Sequence, residues 1–472
     1  MKRSIRWHDF LTINIYWFAL TTRSQVLSPL IIPLLVQQFV GEEAKGTYVG
    51  IIRLWSLMVA VLVQALMGLL SDRSTHRWGR RRPFILVGTL AELGVFVAIG
   101  LSAGLQGMTG YWVLFALYIL SMVASNTAHA ATQGLIPDLV PDDKRGRFSG
   151  VKALLELPVP LIFVSFVIGR MVTAGNLWGA LLTLMGVMVI CAALAMLAPE
   201  ERVQSQPGKV DWSPFVRLAV MTGAFTAIIL GMGAVVKSSG GWFAGLASTP
   251  RVVLTSAVGL LGMLAAVVLG VWSSVAIGIG KEIRQHLSFT WWVTTRLSFL
   301  VASTNLATFM LYFLQERFPQ LAGEQAAGPA SRVIMFVGVF ILLTALPSGW
   351  LCDRFGKKRM VAVAGLMATL GTAIVVLVPS LTAVYVGGCM VGAGVGFFYS
   401  ANWALGTEIV PQEKAGQYLG LSNLAGAGAG AIGAYIGGPL ADVDGYVPLF
   451  VIFGALFLFS LVPLAFIKER RM

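Results

Sequence analysis

A chain of 472 residues is long enough for two or three soluble domains, but 57% hydrophobic and only 12% charged residues lie far from the roughly 25% charge of a soluble domain. The formal charge of +13 does not point to nucleic acid, because the 34 Lys and Arg stand mostly in short clusters between long apolar runs, where a membrane protein carries them. Composition therefore excludes a soluble enzyme and a nucleic-acid partner, and leaves a polytopic membrane protein.

The start, Met1-Lys2-Arg3-Ser4-Ile5-Arg6, has the basic character of a signal peptide. The apolar stretch behind it continues to about Val40 without a small-residue cleavage site, so it reads as a retained first span. A bilayer-crossing helix needs about 20 mostly apolar residues. Divided at polar or Gly/Pro-marked breaks, the chain yields fourteen runs, near 10–40, 46–70, 83–105, 109–136, 148–174, 176–198, 215–236, 252–279, 289–316, 332–351, 359–379, 381–410, 416–440 and 446–467. They are continuously apolar and lack the short alternation of a membrane barrel, so the fold class is all-α. Cys191, Cys352 and Cys389 have neither pairing nor metal-ligand spacing, and no disulfide, metal or cofactor is expected.

With the N-terminus inside, 24 Lys and Arg fall in the inner connections and termini, against 5 in the outer ones, Lys45, Lys237, Arg251, Arg317 and Arg332. This asymmetry predicts an integral protein of a bacterial inner (plasma) membrane with N- and C-termini cytoplasmic.

An internal repeat organises the chain. Asp138-Leu-Val-Pro-Asp-Asp-Lys-Arg-Gly-Arg-Phe-Ser-Gly150 matches Glu408-Ile-Val-Pro-Gln-Glu-Lys-Ala-Gly-Gln-Tyr-Leu-Gly420 with five of thirteen positions identical. Upstream of each copy a span ends in Gly68-Leu-Leu-Ser-Asp72-Arg73 or Gly349-Trp-Leu-Cys-Asp353-Arg354, followed by a glycine and a basic triplet. Duplicated halves are a mark of secondary transporters. They predict a six-helix bundle over 1–199, a cytoplasmic linker and extra transmembrane hairpin over 200–288, and a second six-helix bundle over 289–472.

The pattern G-x-x-x-D-R-x-G-R/K-R/K, carried by Gly349 through Arg359, resembles the signature of the major facilitator superfamily. The longer first copy, Ser71 through Ile85 (SDRSTHRWGRRRPFI), resembles the loop of plant sucrose transporters and of glycoside-pentoside-hexuronide cation symporters. The resemblance implies the major facilitator fold with an inserted hairpin. It also implies a cytoplasmic gate latched by Asp72, Arg73, Asp353 and Arg354, with Asp138 and Glu408 as the acidic partners of the arginines. In span 4, where the sucrose family carries an acid and then an arginine, this chain has Met122 and Gln133. Tetrapyrrole-delivery proteins of the superfamily and fourteen-span drug exporters are further possible relatives.

An ionisable side chain deep in a bilayer costs at least ~2.5 to 3.5 kcal/mol on insertion scales and asks for a partner or a cavity. Arg23 in span 1, Glu92 in span 3, Glu156 in span 5 and Arg296 in span 9 lie at such depths. They are substrate or coupling candidates, together with Asn126 and His129 in span 4 and Asn402 in span 12. The alternative is a set of ion pairs that fix helix packing. Lys152 stands one turn before Glu156, while Glu92 has no cation in its own helix, so Glu92 is read as the proton carrier and Glu156 as the partner of Lys152 or Arg23. The glycine-dense segments 388–396 and 426–438 suit close helix approach and, with no P-loop, not nucleotide binding. No enzymatic constellation stands out. The reading is a monomeric secondary transporter moving a small-molecule substrate, a sugar or glycoside, across the lipid bilayer with a proton or other cation. Export of amphipathic compounds, or a non-transporting role in pigment delivery or membrane-complex assembly, are the alternatives.

Overall fold

The computed structural model describes residues 6–200, 211–280, 287–410 and 415–467, the side chains of 415–425 excepted. Lys2, Arg3, Arg202, Lys209, Lys281, Arg284, Lys414, Lys468, Arg470 and Arg471 of the charge count, and residues 411–414 of the second repeat copy, lie outside the described residues.

Each of the fourteen apolar runs forms a helix. In chain order they are α1 Asp9–Val40, α2 Lys45–Asp72, α3 Arg82–Ser102, α4 Gly107–Leu139, α5 Asp142–Thr173, α6 Leu177–Ala195, α7 Ser213–Trp242 and α8 Ser248–Ile279. Then come α9 Leu287–Arg317, α10 Gly323–Phe355, α11 Lys357–Leu377, α12 Leu381–Ile409, α13 Ala415–Asp444 and α14 Tyr446–Ala465. Thirteen of them are long and apolar enough to cross a membrane by length and composition, and α13, with 30 residues, stands at the remaining position. The chain is therefore an all-helical integral membrane protein. Several helices outrun their apolar stretch: α4 has 33 residues, about 50 Å against a hydrocarbon core of about 30 Å.

Irregular turns in α5 and α1 each have a sequence reason. In α5, Leu157 leaves helical geometry at φ −121° and ψ −72° because Pro158 follows it, lacking an N–H and crowding the residue before it. In α1 the turn Leu27–Ile31 widens around Pro29.

The chain divides into two compact units, one running to Phe39 and from Val59 to Val216, the other taking Val40–Met58 and everything from Arg217. In the first unit α1 packs on α6 and α5, and α3 packs on α4. The α3–α4 approach is close: a Cβ on Gly88 would lie 2.6 Å from the Ala124 carbonyl oxygen. In the second unit α9 packs on α14, and α11 on α12, so the sequence repeat reappears as a repeat of helix pairing.

The inserted hairpin α7–α8 packs within the second unit, α8 lying against α13, α14 and α9. Its docking surface is the glycine-dense α13. Phe225 of α7 is 2% exposed and abuts Gly428 of α13 and Gly270 of α8. Small residues thus serve to seat neighbouring helices, as their density predicts.

Trp242 at the end of α7 and Glu324 at the start of α10 are both exposed, on the side that the charge count assigns to the exterior. Single cysteines at these positions, in a background without Cys191, Cys352 and Cys389, are expected to react with a membrane-impermeant maleimide added to intact cells. Protection of both contradicts the orientation.

Candidate functional site

Within the first unit, α1, α3 and α4 bring Arg23, Glu92 and Ser121 into one buried cluster. Arg23 Nε donates to Glu92 Oε1 at 2.8 Å, Arg23 Nη2 donates to Ser121 Oγ, and Ser121 Oγ donates to Glu92 Oε1 at 2.6 Å. Glu92 is wholly buried and Arg23 is 5% exposed. The guanidinium also lies 5.9 Å from the Tyr118 ring centre. Charge is balanced locally, but among the described residues Glu92 Oε2 has no hydrogen-bond partner.

A half-exposed polar strip lies in the same unit. Lys152 Nζ sits 3.8 Å above the Trp17 ring and 3.5 Å from Glu156 Oε2. The edge of Trp17 meets His129 at 5.2 Å between ring centres, and Gln133 Nε2 lies 3.2 Å from His129 Nε2. Asn126 is turned back on its own helix, Nδ2 donating to the Met122 carbonyl at 2.8 Å. The expected Lys152–Glu156 pair forms, while Arg23, the other cation considered for Glu156, meets Glu92 from a different helix instead. Trp17, the platform between Lys152 and His129, was missed. Its signal is a tryptophan well inside a span instead of at its ends.

At the end of this unit that carries the basic loop, Asp138 receives Arg80 Nε at 3.0 Å and Arg81 Nε at 2.8 Å, and Arg81 also pairs with Asp72. Burial opposes the charge on Arg81, yet Asp138 and Asp72 outweigh it and hold the guanidinium pKa above its ordinary value. Glu200, unremarked in the sequence, caps the start of α3, its carboxylate accepting from the backbone N–H groups of Arg80, Arg81 and Arg82 at 2.9, 2.7 and 3.0 Å. Gly79 is required twice there, by φ +100° and because a Cβ would meet Glu200 Cδ at 2.5 Å.

The second unit repeats the device after Gly356, at φ +91°. Lys357 pairs with Glu408, and Lys358 Nζ donates to the carbonyls of Ala465 and Ile467 at 3.3 and 3.0 Å. The expected acids are thus engaged in both copies by cations after the glycine, Arg80 and Arg81 with Asp138 and Lys357 with Glu408. Arg354 lies instead over the rings of Trp350 and Phe355, at 5.4 and 5.6 Å, and Asp353 is exposed. Arg73 follows directly on α2, its backbone N–H on the Leu70 carbonyl.

Arg296 of α9 lies between the rings of Trp292 and Trp403, at 5.9 and 5.7 Å. Trp292 Nε1 donates to the backbone oxygen of Asn402 at 2.9 Å, which places Asn402 beside this group.

The opposite end of the second unit holds a latch that the sequence did not disclose. Lys45 is 6% exposed, with Nζ 2.6 Å from Glu42 Oε2, 3.1 Å from Gln315 Oε1 and 4.5 Å from the Tyr312 ring centre. Asp442 of α13 caps the start of α2, accepting from the N–H groups of Gly46 and Thr47 at 2.7 Å each. Asp444 accepts from Thr255 of α8 and lies 3.8 Å from Arg251 Nε. A cavity of about 410 Å3 opens here, lined by Glu43, Thr47, Tyr48, Thr255, Asp442 and Asp444 among others.

Comparison with known proteins agrees with this architecture. A Major Facilitator Superfamily model matches residues 326–471 and an MFS/sugar transport protein model matches 43–277. The chain is 28% identical over 148 residues to the multi-drug resistance efflux pump PmrA of Streptococcus pneumoniae, covering 30% of this chain and 37% of that protein. It is 25% identical over 186 residues to the lactose permease of Lactobacillus helveticus, covering 35% and 29%. Each match thus spans little more than a third of the relative's length at most. The crystal structure of a point mutant of the nucleoside transporter NupG superposes with a TM-score of 0.65 at 13% identity, over 98% of this chain and 100% of that one. With one family model on each half, the repeated loop motif and fourteen helices among the described residues, the chain belongs to the major facilitator superfamily.

Proposed function

We propose that the protein moves a sugar or glycoside across the bilayer by alternating access, driven by a cation gradient, with a proton as the coupling ion and Glu92 as its carrier. The observation that carries this reading is the Arg23–Glu92–Ser121 cluster. Arg23 and a proton compete for one carboxylate, so Glu92 loads a proton only when Arg23 is drawn elsewhere, and that exclusion is what couples two movements. The strip of His129, Gln133, Lys152 and Glu156, half-buried to exposed and seated on the buried Trp17, offers a sugar hydrogen-bonding groups. The inner loops, Asp138 with Arg80 and Arg81 and Glu408 with Lys357, are read as the cytoplasmic gate.

Glu92→Gln is expected to keep solute counterflow in reconstituted vesicles while losing accumulation driven by a pH gradient. Full pH-dependent accumulation by that variant eliminates Glu92 as the carrier. The likeness to a multidrug pump supports a second reading, export of amphipathic compounds, which predicts that expression raises the resistance of cells to such compounds and that no sugar accumulates in vesicles.

A further inference from the structure

Four asparagines lie within the spans considered as site candidates, and in three the amide nitrogen donates to a helix carbonyl, although the amide oxygens of Asn14 and Asn305 have no partner among the described residues. Asn14 Nδ2 donates to Phe10, Asn126 Nδ2 to Met122, and Asn305 Nδ2 to Val301 and across to Ala429 of α13. Asn402 differs. It is 1% exposed, and among the described residues neither its amide nitrogen nor its amide oxygen has a hydrogen-bond partner. A buried amide left unsatisfied at both atoms costs free energy that a ligand can recover.

Beside it stands an arginine without an anion. Arg23 in the first unit has Glu92 and Ser121, whereas Arg296 has no ion pair among the described residues and a buried Nε with no acceptor. The acids of the two helices concerned are already engaged: Glu316 of α9 accepts from the Tyr446 N–H at 2.7 Å, and Glu408 of α12 holds Lys357. The span around it is strongly enclosed, with 83% of the most apolar window of α9 buried, while Arg296 itself is half-buried. The Trp292 and Trp403 rings supply cation–π attraction, but they accept none of the five guanidinium N–H groups in a directed hydrogen bond.

We propose that Arg296 and Asn402 form a binding site for the charged end of an organic anion, the guanidinium taking a carboxylate or phosphate and the amide an adjacent hydroxyl, while Trp403 lies against the solute's ring. The proposal rests on the transport reading and names its substrate class: the carried solute is anionic. A planar fork of donors between two ring faces accepts an oxyanion in bidentate fashion, which a neutral sugar cannot exploit.

The test uses the purified full chain in detergent and the intrinsic fluorescence of its tryptophans, titrated with gluconate, glucose 6-phosphate and glucose. At least one anion is expected to bind tenfold or more tightly than glucose. Arg296→Gln should lose that preference by tenfold or more, and Arg296→Lys should retain part of it, which controls for misfolding. Preference for gluconate identifies a carboxylate as the recognised group, and preference for glucose 6-phosphate a phosphate. Equal binding of glucose and both anions, no binding of any probe, or unchanged anion affinity in Arg296→Gln overturns the proposal. Uptake of neutral sugar into vesicles, unaltered by Arg296→Gln, overturns it while leaving transport intact. Anion binding lost in Arg296→Gln, in a protein that moves no solute, leaves the site standing and removes the transport reading.

Discussion

Replacing Arg23 with leucine is expected to destabilise the first unit by about 3 to 5 kcal/mol, because it strands the Glu92 carboxylate in a dry interior. The Glu92→Leu change should cost a similar amount by stranding Arg23. The double variant, with neither charge, should recover most of the loss, since an apolar pair of similar volume avoids the desolvation of both ions. Stability read by denaturing-detergent titration of all four proteins closes the cycle. Single variants as stable as the parent, or a double variant worse than both, would show that Arg23 and Glu92 do not depend on each other. Ser121→Ala should cost less, because it removes a neutral hydroxyl and leaves the ion pair.

The second large effect is expected at the latch opposite the basic loops. Asp442→Ala removes both acceptors that cap the start of α2, hydrogen bonds to a charged group worth about 1.5 to 3 kcal/mol each, in a turn that also ties α8 through Asp444. A cysteine at Thr47, which lines the adjoining cavity, should then react severalfold faster with an impermeant thiol reagent than in the parent latch. Thr255→Val, which cuts the tie to the hairpin but spares the cap on α2, should raise that rate less. If labelling at position 47 is indifferent to Asp442, the latch does not hold α2.

How much of this was legible depended on distance along the chain. The helices were readable because a bilayer span writes its own length into the sequence. Lys152 and Glu156 were readable as a pair because they are one turn apart on one helix. Arg23 and Glu92 are 69 residues apart, and neither residue's own helix says which cation crosses to which acid. Asp442 and Gly46 are 396 apart, and a charge count treats Lys45 beside them as one more outer cation, although it is buried among Glu42, Gln315 and Tyr312. The gate motif lay between these cases. Its acids, Asp138 and Glu408, were identifiable from the repeat, but not that the cations after the glycine turn, Arg80, Arg81 and Lys357, meet them. Glu200 had no signal beyond an acid at the close of a span, since its role depends on three backbone N–H groups at the start of α3.

The central claim is tested most directly by uptake of radiolabelled sugars, glycosides and their acidic derivatives into vesicles reconstituted with the purified protein under an imposed proton gradient. The account predicts saturable accumulation of at least one solute, abolished by a protonophore while exchange across the membrane persists. Vesicles that accumulate and exchange none of these solutes, with the gradient applied in either direction, would contradict it.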